Sequence, residues 1–267
     1  MIRLIKSKTI SAIYRTRYFW IHLVNSDLKS RFRRSKLGLL WLIIQPCALT
    51  IIISVVFSVA FNQKLGDYAV YILSGVIVWD LLTASVVGAG NSFLSSVQYI
   101  RQFNHPIIIY SLRFSLLTII TFLIELIALI LWIIMSNPRN LILGFLSLPL
   151  TIILYFAIAW PMATIAGYMN AKYRDYPQIM GLIMQALWYI SPVFFKREMF
   201  LSNYILEKIF IHNPLTHILN LLRAPFIYGN MATSENYMYV ICTILILNGI
   251  SFRVNRKNKA KIIYYLN

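Results

Sequence analysis

The stretch from Leu37 to Phe61 runs for 25 residues without a charge and follows directly on the basic run Lys29, Arg31, Arg33, Arg34 and Lys36. At about 1.5 Å of rise per helical residue it exceeds the roughly 30 Å hydrocarbon layer of a bilayer. A chain built around such a segment folds in lipid, and the basic run marks the flank that stays in the cytoplasm.

Composition closes off the soluble alternative, because 59% hydrophobic and only 12% charged residues cannot solvate a globule of 267 residues. A formal charge of +17 would suit a nucleic-acid partner. The Lys and Arg residues, however, gather at the ends of apolar segments rather than in a stripe, so membrane topology accounts for them and nucleic acid does not. Cys47 and Cys242 lie inside apolar segments, and the four histidines have no paired metal-ligand spacing. Neither a disulfide nor a metal site is expected.

Beyond the first span, a polar turn from Asn62 to Asp67 leads into a second apolar segment, Tyr68 to Val97, with Gly75, Gly88 and Gly90 placed to let neighbouring helices approach closely. The loop Gln98 to Pro106 opens a third segment that ends near Met135, at the breaker Asn137, Pro138. A fourth, Leu141 to Met169, carries Pro149 and Pro161 and stops at Lys172, Arg174 and Asp175; Ile179 to Phe195 and Tyr237 to Phe252 supply the last two. Six spans place both ends on one side. Ten of the 25 Lys and Arg residues fall in the first 36 positions and five more from Arg253 onward, which makes that side the cytoplasm.

The connection from Lys196 to Asn236 is long and apolar for an external loop. Within it Phe200, Leu201, Tyr204, Ile205 and Ile209 recur at helical spacing, as do Leu215, Ile218, Leu219 and Leu222, parted by Asn213 and Pro214. Pieces of about a dozen residues are too short to span, so they form either re-entrant helices in the outer leaflet or a folded external hairpin on the bundle. At the other end Thr9 to Phe32 reads as a helix with Ile10, Tyr14, Tyr18, Ile21, Leu28 and Phe32 on one side and Arg15, Lys29 and Arg33 on the other, suited to the headgroup plane.

The expected fold is therefore all-α and polytopic: six transmembrane helices, an N-terminal amphipathic interface helix, two short re-entrant or periplasmic helices between the fifth and sixth spans, and both termini cytoplasmic. No repeat or linker divides the chain, so 1–267 reads as a single domain, with 1–36 as the interface region, 37–252 as the membrane bundle and 253–267 as a basic tail.

No GxxxxGK[ST], GxSxG, HExxH or CxxC pattern occurs, so no catalytic residue is expected and uphill transport must draw on a partner or an ion gradient. Asp80 and Glu125 are the acids that an ion gradient would use in a proton-coupled flippase; the plain alternative is an interhelical hydrogen bond. Aromatic residues are abundant, with 16 Phe, 17 Tyr and 6 Trp. Their flat faces suit a slide for sugar rings, for which Trp41, Tyr71, Trp79, Trp188 and Tyr189 are candidates, although interfacial belts and helix packing use the same residues.

The order of short motifs adds to this. Asp27, Leu28, Lys29, Ser30, Arg31, Phe32 leading to Leu37, Gly38, Trp41 and Pro46 resembles the entry to the first span of type-2 ABC exporter permeases. So do Tyr71 to Gly75 opening the second span, Tyr173, Arg174, Asp175 after the fourth, Ser191 to Phe194 ending the fifth, and Asn213, Pro214, Leu215 between the external helices. The likeness covers nearly the whole chain and is greatest to the Wzm type, which exports O-antigen. In one place the chain departs from the family's commoner forms: Asp80 follows Trp79 where many relatives carry an uncharged polar residue.

That resemblance implies a homodimer in a bacterial inner membrane, paired with two copies of a separate cytoplasmic ATPase that binds ATP and Mg. Its cargo would be a lipid-linked polysaccharide, with capsule or teichoic acid as the alternatives to O-antigen. By the same likeness the loop holding Tyr99, Arg101, Gln102, Phe103, Asn104 and His105 docks on the ATPase, and Lys29, Arg31, Arg33, Arg34 and Lys36 meet the lipid headgroup or simply obey the topology rule.

Overall fold

The computed structural model describes residues 13–266 apart from 32, 62, 104, 137 and 197–203. Every regular element among them is helical. Thr9, Ile10, Phe32, Asn104, Phe200 and Leu201, all used in the reading above, lie outside the described residues.

Helix α1 (Arg17–Arg31) buries Leu23 and Val24 against the bundle, while Tyr14, Tyr18 and Ile21 of the expected headgroup face are exposed. The Arg17 guanidinium lies over both tyrosine rings, at 4.3 and 4.6 Å. Between α1 and the first span the chain turns at Gly38, whose φ of +54° falls where glycine escapes the Cβ penalty.

Helix α2 (Trp41–Ala60) buries a narrow stripe of every fourth residue, Leu42, Pro46, Thr50, Ser54 and Ser58. Small side chains there let α2 approach α3 (Leu65–Val86) closely, and the Ile and Val face opposite is left outward for lipid or a partner. Apolar all round, α3 is the axis of the bundle: Tyr68 to Trp79 is buried without interruption.

The expected second span does not run on to Val97. It ends at Val86, and the chain continues in 3-10 turns over Gly88–Ser92 and Leu94–Ser96 before the short α4 (Val97–Gln102). The glycine-rich stretch here packs closely against α5 and α6: a Cβ at Gly88 would meet Phe114 at 3.3 Å and one at Gly90 would meet Asn170 at 3.4 Å.

Helices α5 (Ile108–Ser136) and α6 (Asn140–Lys172) match the expected third and fourth spans, and α6 keeps both prolines inside the helix. Helix α7 (Tyr176–Ile190) has only 15 residues, about 22 Å, less than the expected fifth span. The rest of that segment, Ser191 to Phe195, is non-helical, and its first four residues are buried.

Two short helices follow as expected, α8 (Tyr204–His212) and α9 (Pro214–Phe226). Asn213 separates them, its side chain accepting from the Leu215 N–H at 3.0 Å while Pro214 takes the first helical position. Helix α9 climbs along α6: Tyr155 donates to the Ile218 carbonyl at 2.9 Å, and Asn140 to that of Ile227 at 2.7 Å.

Helix α10 (Ser234–Asn258) carries the last span into the basic tail. That tail folds back through α11 (Ile262–Tyr265), burying Ile262 and Leu266 beside Phe93, Tyr110 and Tyr168. Phe19 of α1 packs on the same cluster, so both ends of the described chain lie at one end of the bundle. Five helices are long and apolar enough to cross a membrane among the described residues, namely α2 with its preceding turn, α3, α5, α6 and α10.

Candidate functional site

The candidate residues gather in two regions, one at the end of the bundle that holds α1 and α4, the other along the side of α3. At the first, Asp27 receives two hydrogen bonds from the Arg113 guanidinium, through Nε at 2.6 Å and through a second, shorter contact from Nη2. A third guanidinium nitrogen reaches Ser96 Oγ at 3.3 Å. One side chain thus fastens α1, the turn before α4 and the first turns of α5 together.

The expected docking residues gather on the same face. Phe19 packs between Tyr99 at 5.8 Å, Phe103 at 6.0 Å and His105 at 5.1 Å, and Phe103 stacks on His105. Arg101, Gln102 and Phe103 remain exposed, as a docking surface requires. Lys29, Arg31, Arg33, Arg34 and Lys36 are also exposed. Lys29 and Arg33 line a shallow depression with His22 and Asn25, and Arg31, Arg33 and Arg34 a second. Tyr173 is exposed in the turn after α6, and Arg174 donates to the Tyr265 carbonyl at 3.1 Å, tying that motif to α11.

The second region is a groove of about 510 Å³ between α2, α3 and α7. Trp79 and Trp188 face each other there with ring centroids 6.0 Å apart, Tyr189 lies edge-on to Phe194 at 6.1 Å, and Phe57 stacks on Phe194 at 5.5 Å. Three of the five aromatic candidates therefore converge. Trp41 does not join them: it stands at the start of α2, its indole N–H donating to Ser35 Oγ at 3.2 Å. Tyr71 is buried elsewhere, its hydroxyl donating to the Phe195 carbonyl at 2.8 Å.

Tyr71 belongs to a cradle around Arg223, a residue the sequence reading passed over. Arg223 is 1% exposed. Its guanidinium lies 3.7 Å above the Tyr71 ring and donates to Ser74 Oγ at 3.1 Å and to the carbonyls of Tyr71, Pro192 and Val193. Gly75 makes the approach possible, since a Cβ there would stand 2.6 Å from both Nη2 and the Val193 oxygen. A helical projection would have shown Arg223 on the same face as Leu219, Leu222 and Phe226.

Behind the groove, a cavity of about 190 Å³ brings Asp80 and Glu125 together with Arg31, Gln45 and Thr83. The interhelical hydrogen bond is not formed: neither carboxylate bonds to a described residue. The nearby cation is Arg31, whereas Arg113 is committed to Asp27. Asp80 and Thr83 line both spaces and form the wall between them.

Residues 18–227 match the family model described as ABC-2 type transporter, covering both regions and every helix from α1 to α9. The chain belongs to the ABC-2 type transporter family. With its five membrane-crossing helices it is a multi-pass membrane protein. Among ABC-2 relatives it is similar to an O-antigen export system permease protein, RfbA, of Klebsiella pneumoniae, at 22% identity over 87% of this chain and 86% of the relative. A Myxococcus xanthus protein of the same description is 19% identical over 92% and 93%. The polysialic acid transport protein KpsM of Escherichia coli is 23% identical over 86% and 90%.

Proposed function

We propose that this chain is the permease subunit of an ATP-driven exporter that moves lipid-linked O-antigen polysaccharide outward across the bacterial inner membrane. It works as a homodimer with two copies of a cytoplasmic ABC ATPase, which holds ATP and Mg. The observation that carries this reading is the aromatic groove, which opens beside the outward apolar faces of α2 and α7, where Ile52, Val56, Leu182 and Ile183 are exposed. Two copies meeting along these faces turn two grooves into one channel. Its flat aromatic walls let pyranose rings stack and slip without a fixed hydrogen-bond register.

The whole of 1–267 acts as one transmembrane domain with six crossings, and α7 completes the sixth. Its non-helical continuation is tolerable at membrane depth because the side chains of Tyr68, Tyr71 and Arg223 satisfy the carbonyls of residues 192–195. Helices α8 and α9 re-enter from outside as lids, while both termini and α4 face the cytoplasm. There Lys29, Arg31, Arg33, Arg34 and Lys36 offer charge-assisted contacts to the lipid diphosphate, and the Tyr99 to His105 segment docks the ATPase beside α1, which lies along the headgroups.

Co-expression with candidate ABC ATPases tests this. A stable complex is expected, whose hydrolysis depends on the permease and which translocates lipid-linked glycan in proteoliposomes only with ATP. Vesicles holding this chain alone that pass the glycan without nucleotide would overturn the proposal and favour a flippase driven through Asp80 and Glu125.

A further inference from the structure

The groove carries one ionisable side chain among its described lining that bears a charge at neutral pH in its ordinary state, and it is an acid. Trp79, Trp188 and Tyr189 form flat walls, Gln185 and Thr83 supply uncharged polar groups, and Asp80 supplies a carboxylate; no described Lys or Arg lines the space. Asp80 has no hydrogen-bond partner among the described residues. It lies in the wall shared with the cavity behind, into which Glu125, 5% exposed and likewise without a hydrogen bond, projects from α5. The Thr83 hydroxyl in the same wall is buried and unpaired. Arg31 and Gln45 face that cavity from α1 and α2.

Resting on the polysaccharide-export reading, we infer that Asp80 sets the charge class of the cargo: the groove passes a glycan whose repeat unit is neutral or amine-bearing and rejects a polyanionic one. A carboxylate that accepts no hydrogen bond from the protein is open to accept them from sugar hydroxyls or an ammonium group. The carboxylates or phosphates of a polyanion bring like charge against it at every repeat, with no cation in the aromatic walls to offset them. Two like charges about 6 Å apart at an effective permittivity of about 20 lower occupancy roughly 100-fold. Lys29, Arg33 and Arg34 do not relieve this, because they lie at the inner end, outside the groove, where one diphosphate per chain enters. The inference separates this chain from its polysialic acid transport relatives, whose cargo is a polyanion.

The test uses the full permease–ATPase complex in proteoliposomes, supplied with a diphosphate-lipid-linked neutral glucan, the same polymer after carboxymethylation, and the same polymer partly aminated. ATP-dependent translocation of each is measured. Wild type should move the neutral polymer about 10-fold faster or more than the carboxymethylated one, and the aminated polymer at least as fast as the neutral one. Asp80→Asn and Asp80→Ser should bring the neutral-to-anionic ratio close to one. Should neither variant assemble, the wild-type ratios decide alone. Equal wild-type rates for neutral and carboxymethylated polymer, or a ratio unmoved in an assembled Asp80→Asn, overturns the assignment and leaves the export reading standing. No ATP-dependent movement of any of the three polymers overturns the export reading, and this inference with it.

Discussion

Asp27 and Arg113, 86 positions apart, form a two-point ion pair that joins α1 to the start of α5. The arginine is 11% and the aspartate 28% exposed, so water screens the pair only in part and the planar guanidinium fork matches both carboxylate oxygens. A movement imposed on α1 therefore reaches α5 directly.

Asp27→Asn should cost about 2–4 kcal/mol by leaving a half-desolvated guanidinium unpaired, and Arg113→Lys should cost nearly as much by losing the fork. Thermal unfolding of the purified complex checks the loss. Export per ATP hydrolysed should fall in both variants, and the reversed pair Asp27→Arg with Arg113→Asp should recover part of it. A reversed pair no better than either single variant would show that the contact carries no coupling.

Phe103→Ala and Arg101→Ala should weaken ATPase docking about 5-fold or more while the permease stays folded, because both side chains are exposed on the α4 face. Co-purification yield and glycan translocation report this together. Unchanged values for both variants would remove the docking assignment.

Gly75→Ala should destabilise the permease by about 1–3 kcal/mol, since the new Cβ collides with backbone as well as with Arg223. Arg223→Met should cost about 3–5 kcal/mol, because the Val193 carbonyl loses its side-chain donor and the carbonyls of Tyr71 and Pro192 each lose one of theirs inside the protein. Lysine should not rescue it, as one ammonium cannot reach Ser74 on one side and Pro192 on the other. Detergent-solubilised melting curves measure all three.

Trp188→Ala should slow glycan export about 3- to 10-fold with little loss of stability, since Trp188 is only partly buried and lines the groove. Trp41→Ala, outside the groove, should leave export near the wild-type rate. Similar losses in both would mean that the groove is not the path.

The spans were legible because lipid tolerates only long uncharged runs, so α5 and α6 begin and end within a few residues of their apolar segments. The break after Val86 was not, because Asp80 is the one charged residue between Tyr68 and Val97 and no proline marks where the helix stops. The convergence of Trp79, Trp188 and Tyr189, without Trp41 and Tyr71, was also hidden: aromatic residue type says nothing of which face a ring occupies. Arg223 left a trace in its helical register but none in its partners, since carbonyl oxygens at residues 192 and 193 carry no side-chain signature. Asp27 reads as a motif residue only, and nothing in its type pairs it with Arg113 across 86 positions.

The Arg223 cradle also limits how α8 and α9 can move. Because α9 is riveted to α3 and to the segment after α7, it stays still while the bundle is intact. Asn213 and Pro214 then form the joint between a fixed α9 and α8, which is held to it through Thr216 and His217.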